Sequence, residues 1–302
     1  MNFLRKIYRF LKQFTYGKVN IYKDKKEKLN IENPYKVSVI IPNYNYEKYI
    51  IERIDSVINQ TYPIFELIIL DDKSTDESVN IIKEKIKTID IPVRLIVNEE
   101  NSGNVFKQWN KGFKEAKGDF IWIAEADDSS NPCFLESIMN KMTDDVVLAY
   151  ADSKRIDKNN KVLYPHCRDL KHEISSEHFN EDYIIDGKKE IENYMSIACT
   201  IINVSSVIWR KKDYENIFLD ATNFKIAGDC YIYTNVIKTG KLLYISKPLN
   251  YYRKHNNSVS SNIEKEIEEI KKIHEYINLN FDISDEIKEK QNEYLNRRVV
   301  NK

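Results

Sequence analysis

Phe120-Ile121-Trp122-Ile123-Ala124-Glu125-Ala126-Asp127-Asp128, closed by Pro132, runs an apolar segment straight into three carboxylates. The apolar part fits a buried strand, and continuous runs of this kind suit a parallel sheet covered on both faces. The carboxylates then fall at the carboxyl end of a strand, where open α/β sheets bind ligands. Like charges crowd unfavourably there unless a cation or a donor-rich ligand meets them, and oxygen ligands suit Mg2+ or Mn2+. A short acidic cluster by itself reads as a solvated turn. The abrupt change from apolar strand to carboxylates sets the two readings level.

The 302 residues allow one large domain or two moderate ones with a full core. Lys plus Arg and Asp plus Glu both total 47, so no global field argues for nucleic acid. With only 7 Gly and 7 Pro, a low-complexity or collagen-like chain is excluded. Cys133, Cys167, Cys199 and Cys230 form no Cys-x-x-Cys pair, so neither a zinc site nor a redox motif is supported. With no secretory signal ahead of them, they are expected to be reduced thiols of a cytoplasmic protein. No apolar run approaches the roughly eighteen residues needed to cross a membrane.

Residues 1–34 form a separate, basic arm. Phe3, Leu4, Ile7, Tyr8, Leu11 and Phe14 recur at helical spacing among Arg5, Lys6, Arg9 and Lys12, with no acid before Asp24. Such a helix suits an anionic membrane interface, or docks on its own domain or a second subunit. The absence of acids favours peripheral membrane contact through residues 1–20 at the inner face of the cell membrane.

From Tyr35 a βα rhythm begins. Strands are expected at Val37–Ile41, Glu66–Leu70, Val93–Val97, Phe120–Ala124 and Val146–Tyr150. Between them, Ile50, Ile54 and Val57, then Val79, Ile82 and Ile86, then Val105, Trp109 and Phe113 mark helix faces. Ser74 and Glu77 have capping-box spacing, and Gly118 suits a helix C-terminal cap. The alternation predicts a doubly wound, mostly parallel α/β sheet over residues 35–150. The region 151–260 is less regular: a strand at Ser205–Trp209, a helix opening at Asp229, and strands at Leu242–Ile245 and Leu249–Tyr252. His166, His172 and His178 fit no helical metal pair and read as surface or loop histidines. A charged amphipathic helix with Ile263, Ile267, Ile270, Ile273 and Ile277 opens the helical tail, 261–302.

Taken in order, several strand ends resemble family 2 glycosyltransferases. They are Ile41-Pro42-Asn43-Tyr44-Asn45, Gln60-Thr61-Tyr62-Pro63, Asp71-Asp72-Lys73-Ser74, Asn101-Ser102-Gly103, Asn110-Lys111-Gly112 and Glu125-Ala126-Asp127-Asp128. The resemblance covers about Val37 to Pro132 and resumes at Gly228-Asp229 and Tyr252-Arg253-Lys254-His255. It implies the glycosyltransferase A fold, with a nucleotide-sugar-binding half followed by an acceptor-binding and catalytic half. Pro42, Tyr44 and Asp72 then line the base and ribose pocket, and Asn101 contacts the nucleotide. Tyr44 suits stacking on a base face, and Asp72 suits accepting a base N–H.

Glu125-Ala126-Asp127 occupies the family's Asp-x-Asp position. Asp127 is the implied ligand of Mn2+ or Mg2+, Glu125 contacts ribose or metal, and Ala126 lies between them against the donor. Glu125 departs from the usual Asp by one methylene, which weakens its case as a ligand. Arg253 suits the diphosphate oxygens, and His255 the metal shell or a phosphate. Asp229 is the implied general base of an inverting transferase; standing alone it reads as a helix N-cap. The expected partners are a nucleotide diphosphate sugar donor and a glycan or lipid-linked acceptor. A subunit that keeps the fold but only binds is the rival reading; retention of Asp127 and Asp229 argues against it.

Overall fold

The computed structural model describes residues 17, 28–29, 31–32, 34–255 and 263–300. Nearly all of the basic arm, and with it the expected membrane contact, therefore lies outside the described residues. No described helix is long and apolar enough to cross a membrane.

The first half alternates as its periodicity predicts: β1 (Val37–Asn43), α1 (Ile50–Ile58), β2 (Glu66–Asp71), α2 (Ser78–Ile86), β3 (Val93–Val97), α3 (Val105–Glu115) and β4 (Phe120–Ile123). A two-residue β5 (Ser129–Ser130) and α4 (Phe134–Met139) follow. Next come β6 (Val146–Asp157), β7 (Val162–Tyr164), β8 (Tyr183–Asp186), a short α5 (Gly187–Glu190), β9 (Val207–Arg210), α6 (Glu215–Ala221) and α7 (Gly228–Ile237). The long β10 (Lys241–Lys254) and the helices α8 (Ile263–Asn280) and α9 (Asp285–Val300) close the chain.

One sheet runs β3-β2-β1-β4-β9-β6-β10-β5, with β7 paired to β6 and β8 to β10. The pairs β1–β2, β1–β4, β2–β3 and β6–β10 are parallel. Strand β9 enters antiparallel between β4 and β6, so the sheet is continuous from the first half into the second. Alternate residues of the central strands face opposite cores. Ile40, Ile68 and Ile121 pack with Phe113 of α3, Phe218 of α6 and Val236 of α7. Val39, Leu67 and Trp122 pack with Ile54 of α1, Ile82 of α2 and Ile138 of α4. Helices thus cover both faces, as the unbroken apolar strands require.

Four local expectations are corrected. Ser74 does not cap α2: its hydroxyl donates 2.6 Å to Asp71 Oδ2, and Glu77 occupies the N-cap without a side-chain bond. Gly118 lies beyond the α3 C-cap, Ala116. A Cβ there would lie 2.6 Å from the Lys36 carbonyl oxygen, so close approach to β1 is what requires glycine. The strand expected at Val146–Tyr150 continues to Asp157. The two short strands at Leu242–Ile245 and Leu249–Tyr252 are one strand, with register shifts around Pro248 that hid its continuity.

The helical tail is part of the body. Ile273, Ile277 and Ile287 are buried against α7 and the sheet. Gln291 Nε2 donates 3.0 Å to the Ser196 carbonyl, and His274 Nε2 lies 3.2 Å from that of Ile197. Burial pushes His274 from 6.5 down to about 4, so the ring is neutral and donates. The unfolded chain binds this proton more readily, so the stability contributed is complete above about pH 6.5 and is lost as pH falls toward 4. His274→Gln keeps a donor but cannot titrate. Its urea midpoint should change less with pH between 6.5 and 4 than that of the parent; equal slopes would refute the assignment.

Candidate active site

Two clusters form at the carboxyl ends of the parallel strands. The first gathers Pro42, Tyr44, Asp72 and Asn101. Pro42 is buried at the end of β1, and Tyr44 beyond it is 45% exposed. Asp72 follows β2, its amide donating 2.9 Å to the Asn43 carbonyl. Its carboxylate is 6% exposed and already accepts four protein donors. Asn98 Nδ2 (2.6 Å), the Ser102 amide (2.8 Å) and Gln108 Nε2 (2.8 Å) reach Oδ1, and Ser102 Oγ (2.8 Å) reaches Oδ2. A ligand N–H would share Oδ2 with Ser102. Asn101 is exposed and folds the loop back, donating 2.9 Å to the Asp72 carbonyl. The sequence placed these residues together and drew Ser102 in only as part of the Asn101-Ser102-Gly103 motif; Asn98 and Gln108, which also orient Asp72, it did not single out.

The second cluster surrounds the acidic turn after β4. Asp128 is 1% exposed. Its Oδ2 accepts Asn203 Nδ2 (2.8 Å) and Ser205 Oγ (2.7 Å), and its Oδ1 accepts the Arg253 amide (2.8 Å). Asp127 is half-buried rather than freely exposed, with Oδ2 2.8 Å from His255 Nε2. Glu125 Oε1 accepts Trp109 Nε1 at 2.8 Å. Ala126 is fully buried, its methyl in the α1–α4 core.

Arg253 is 1% exposed and stands behind the turn. Its Nε donates 2.6 Å to the Asp127 carbonyl, Nη1 reaches the Asp157 carbonyl (3.1 Å) and Asn160, and Nη2 pairs with Glu52. Its plane lies over Tyr49, 4.8 Å from the ring centroid. The guanidinium is therefore committed to holding the turn, in place of the open cleft expected for a diphosphate contact.

Arg53 is the largest omission of the sequence reading. It is fully buried, with Nε 2.8 Å from the Glu125 carbonyl and Nη1 3.0 Å from Ser130 Oγ. The signal was a charged residue on the same helical face as Ile50, Ile54 and Val57. Burial lowers Arg53 to about 10, while Asp128, Asp127, Glu125 and Glu52 favour its charge. Those four carboxylates face two arginines, Arg53 and Arg253, an excess of two negative charges when all are ionised. Burial and the charge of Asp127 accordingly push Glu125 up to about 8 and Asp128 up to about 6.

Asp229 lies at the start of α7, across Phe106 and Trp109 from the acidic turn. The N-cap of α7 is Ala227, so Asp229 sits in the first turn and the N-cap reading does not hold; its Oδ1 accepts the Cys230 amide at 2.8 Å. Burial raises it to about 6. The packing there is close: a Cβ on Gly228 would lie 2.5 Å from the Phe106 ring, which is edge-on to Trp109 at 5.2 Å. Trp109 in turn holds Glu125, so two rings connect the α7 start to the acidic turn.

Away from this cleft, two expected surface histidines are tied down. His166 Nδ1 lies 3.3 Å from buried Asp152, and His178 Nε2 2.8 Å from buried Glu190. None of the four cysteines forms a disulfide.

Residues 38–213, more than half of the chain, match the Glycosyl transferase family 2 profile. The chain belongs to glycosyl transferase family 2. An uncharacterized glycosyltransferase of Nostoc sp. is 30% identical over 238 residues, covering 75% of this chain and 67% of that protein. TarS of Staphylococcus aureus, a poly(ribitol-phosphate) beta-N-acetylglucosaminyltransferase, is 38% identical over 98 residues, only 32% of this chain and 17% of its own length. The crystal structure of a TarS fragment with UDP-GlcNAc superposes with a TM-score of 0.62 at 23% identity, covering 88% of this chain and 73% of that one. The mannosyltransferase PcManGT of Pyrobaculum calidifontis, solved with GDP-Man and Mn2+, gives 0.62 at 15% identity, covering 97% and 76%. The expected mixed α/β fold with a mostly parallel sheet, the glycosyltransferase A architecture, is thereby confirmed for this family 2 chain.

The two adjacent aspartates of the turn should separate cleanly. Asp128→Ala strips three donors of their acceptor and should cost about 3 kcal/mol or more. Asp127→Ala removes one bond and relieves like-charge repulsion, so it should cost about 1 kcal/mol or less. Urea unfolding of both variants checks this; equal losses would contradict the division.

Proposed function

We propose that this family 2 chain moves a sugar from a nucleotide diphosphate donor to an acceptor hydroxyl with inversion at the anomeric carbon. The observation that carries the reading is a convergence: the Asp72 pocket and the Asp127–His255 pair lie at the carboxyl ends of the parallel strands, and Phe106 and Trp109 link the acidic turn to the start of α7, where Asp229 sits. Tyr44 stacks on the base, Asp72 and Asn101 hold the nucleoside, and the sugar lies between the acidic turn and α7. UDP-GlcNAc and GDP-Man in the two similar structures support a nucleotide-sugar donor. The poly(ribitol-phosphate) in the name of TarS supports a polymeric acceptor, and with it the reading of a cell-surface polysaccharide or glycolipid product made on a glycan or lipid-linked acceptor.

The residues fit a divalent cation bound together with donor. Among the described residues no three His, Cys, Asp or Glu side chains are arranged to hold an ion by themselves. Asp127 Oδ2 and His255 Nε2, however, are 2.8 Å apart, close to the spacing of neighbouring ligands on one ion. One carboxylate oxygen and one imidazole nitrogen suit Mn2+, and donor phosphates would complete the shell. The excess of carboxylate charge around Arg53 also favours a cation there. When bound, Mn2+ or Mg2+ would neutralise the departing diphosphate. Glu125, with one oxygen on Trp109, has only the other to offer ribose or metal.

Asp229 takes the acceptor hydroxyl proton as that oxygen attacks the anomeric carbon, and the nucleoside diphosphate leaves with the donor electrons. The base must be ionised, so kcat/KM should rise as pH climbs through about 6 and level off above it. Asp229→Asn keeps the shape without the basic oxygen. Calorimetry on that variant should find donor binding nearly unchanged, while transfer falls by roughly two orders of magnitude or more. Wild-type transfer would eliminate the base assignment. For the cation, donor hydrolysis and transfer should vanish in chelator and in Asp127→Ala; full activity in either would remove the metal-assisted mechanism.

A further inference from the structure

We propose that Glu269, on the C-terminal helix α8, is a positioning residue for Asp229, its carboxylate gripping the three amides that lead into α7. The inference rests on the reading of Asp229 as the base. Glu269 is 1% exposed and lies 40 residues beyond Asp229 in sequence. Its Oε1 accepts the Lys225 amide at 2.9 Å. Its Oε2 accepts the amides of Ile226 (2.8 Å) and Ala227 (2.9 Å). Charge-assisted bonds to three successive amides make a strong and directional hold, and the anion complements the positive end of the helix. The held residues end at Ala227, the N-cap of α7, two positions before Asp229.

The grip has a rigid origin. Ile273 and Ile277 of α8 are buried in the main core, and His274 reaches the Ile197 carbonyl at 3.2 Å. The same helix therefore fixes both the loop before α7 and the segment leading to Asn203 and Ser205, which bond Asp128. A neutral residue cannot replace Glu269, because an amide side chain would turn its own NH2 toward at least one backbone N–H. Among the described residues the charged groups facing Glu269 include Lys265, 4.0 Å away, and Lys272 one turn further on.

Glu269 also acts on Asp229 through its charge. The groups facing Asp229 are Glu266 and Glu269 from α8, Cys199 from the segment before β9, and Cys230 and Tyr233 of its own helix. Both acids raise Asp229; Glu266 is paired with Arg298 at 3.1 Å, and Glu269 is the one that also holds the amides leading into α7. Removing a facing negative charge makes Asp229 easier to ionise.

The test uses the full chain, with sugar transfer, donor binding and pH profiles measured on Glu269→Gln, Asp229→Asn and the double variant. Glu269→Gln should lower kcat about 10- to 100-fold, the scale of a small misplacement of a reacting group. Donor affinity should stay within about twofold, because the nucleotide pocket lies elsewhere. The acid limb of kcat/KM should move to lower pH, which a purely structural role would not do. On the Asp229→Asn background Glu269→Gln should cause no further loss, since both act through one group. A variant of reduced Tm with parental kcat and an unmoved acid limb would overturn the inference, as would an equal further loss in the double variant. Should Glu269→Gln fail to fold, Glu269→Asp keeps the charge but shortens the reach. Its kcat should then fall with the acid limb in place, and an unchanged kcat would overturn the inference. If Asp229→Asn alone keeps full transfer, the base reading fails and takes this inference with it. If Asp229→Asn is inactive while Glu269→Gln is wild-type, only the role of Glu269 fails.

Discussion

The Asp128 carboxylate is the joint on which the cleft depends. It joins the turn after β4 to Asn203 and Ser205, more than seventy residues on, and to the backbone of Arg253, 125 residues on. Burying a carboxylate is costly unless its oxygens are met by donors, and here three donors meet them. Asn203 then passes the connection to Asn250, and Asn250 to Ser153, at 2.9 and 3.1 Å. A single buried polar chain thus registers β4, β6 and β10 at the end of the sheet where Asp127 and His255 emerge. Arg253 repeats the theme in cationic form, binding the Asp127 carbonyl and Glu52 from behind. With Asp128 and Arg253 so committed, Asp127 and His255 remain at the cleft face.

The sheet was legible because it depends on local pattern. Runs such as Val39-Ile40-Ile41 and Leu67-Ile68-Ile69-Leu70 leave few alternatives to buried parallel strands, and helical spacing between them supplied the covering layer. The ordered strand-end motifs located Tyr44, Asp72, Asn101 and Asp127. What was not legible is what those residues bond to. Whether a carboxylate meets ligand or protein depends on partners far away in sequence, such as Gln108 for Asp72 or Asn203 for Asp128. The continuity of β10 was masked by shifts around Pro248, whereas the isoleucine stripe of α8 already suited packing on the body or on a partner. Arg53 could have been noticed, since a charge on an apolar helical face must be compensated.

The electrostatics describe a site held away from its own stability optimum. Arg53 Nη2 is buried without a hydrogen-bond partner among the described residues, and burial, with the charge of Asp127, pushes the Glu125 and Asp128 carboxyls to higher pKa. Groups whose folded pKa is raised contribute stability that is complete below the ordinary carboxylate range and lost as pH rises, through about 6 for Asp128 and about 8 for Glu125. Near neutral pH the cleft therefore carries unfavourable charge. A cation, or a ligand bringing one, would relieve it, so binding and local stability are coupled.

The departure at Glu125 belongs to the same arrangement. An aspartate at this position would end one methylene short of the Trp109 indole, whose Nε1 donates to Glu125 Oε1 at 2.8 Å. The longer side chain spans that gap. It ties the acidic turn to α3, where Phe106 forms the surface against which Gly228 and the start of α7 are set. Shortening Glu125 would leave a buried indole N–H unpaired and free the ring that spaces the acidic turn from Asp229. The extra methylene thus exchanges some reach toward a ligand for a fixed distance between the two walls of the cleft. The proposed inverting displacement, with nucleophile and leaving group on opposite sides of one carbon, requires that distance to be held.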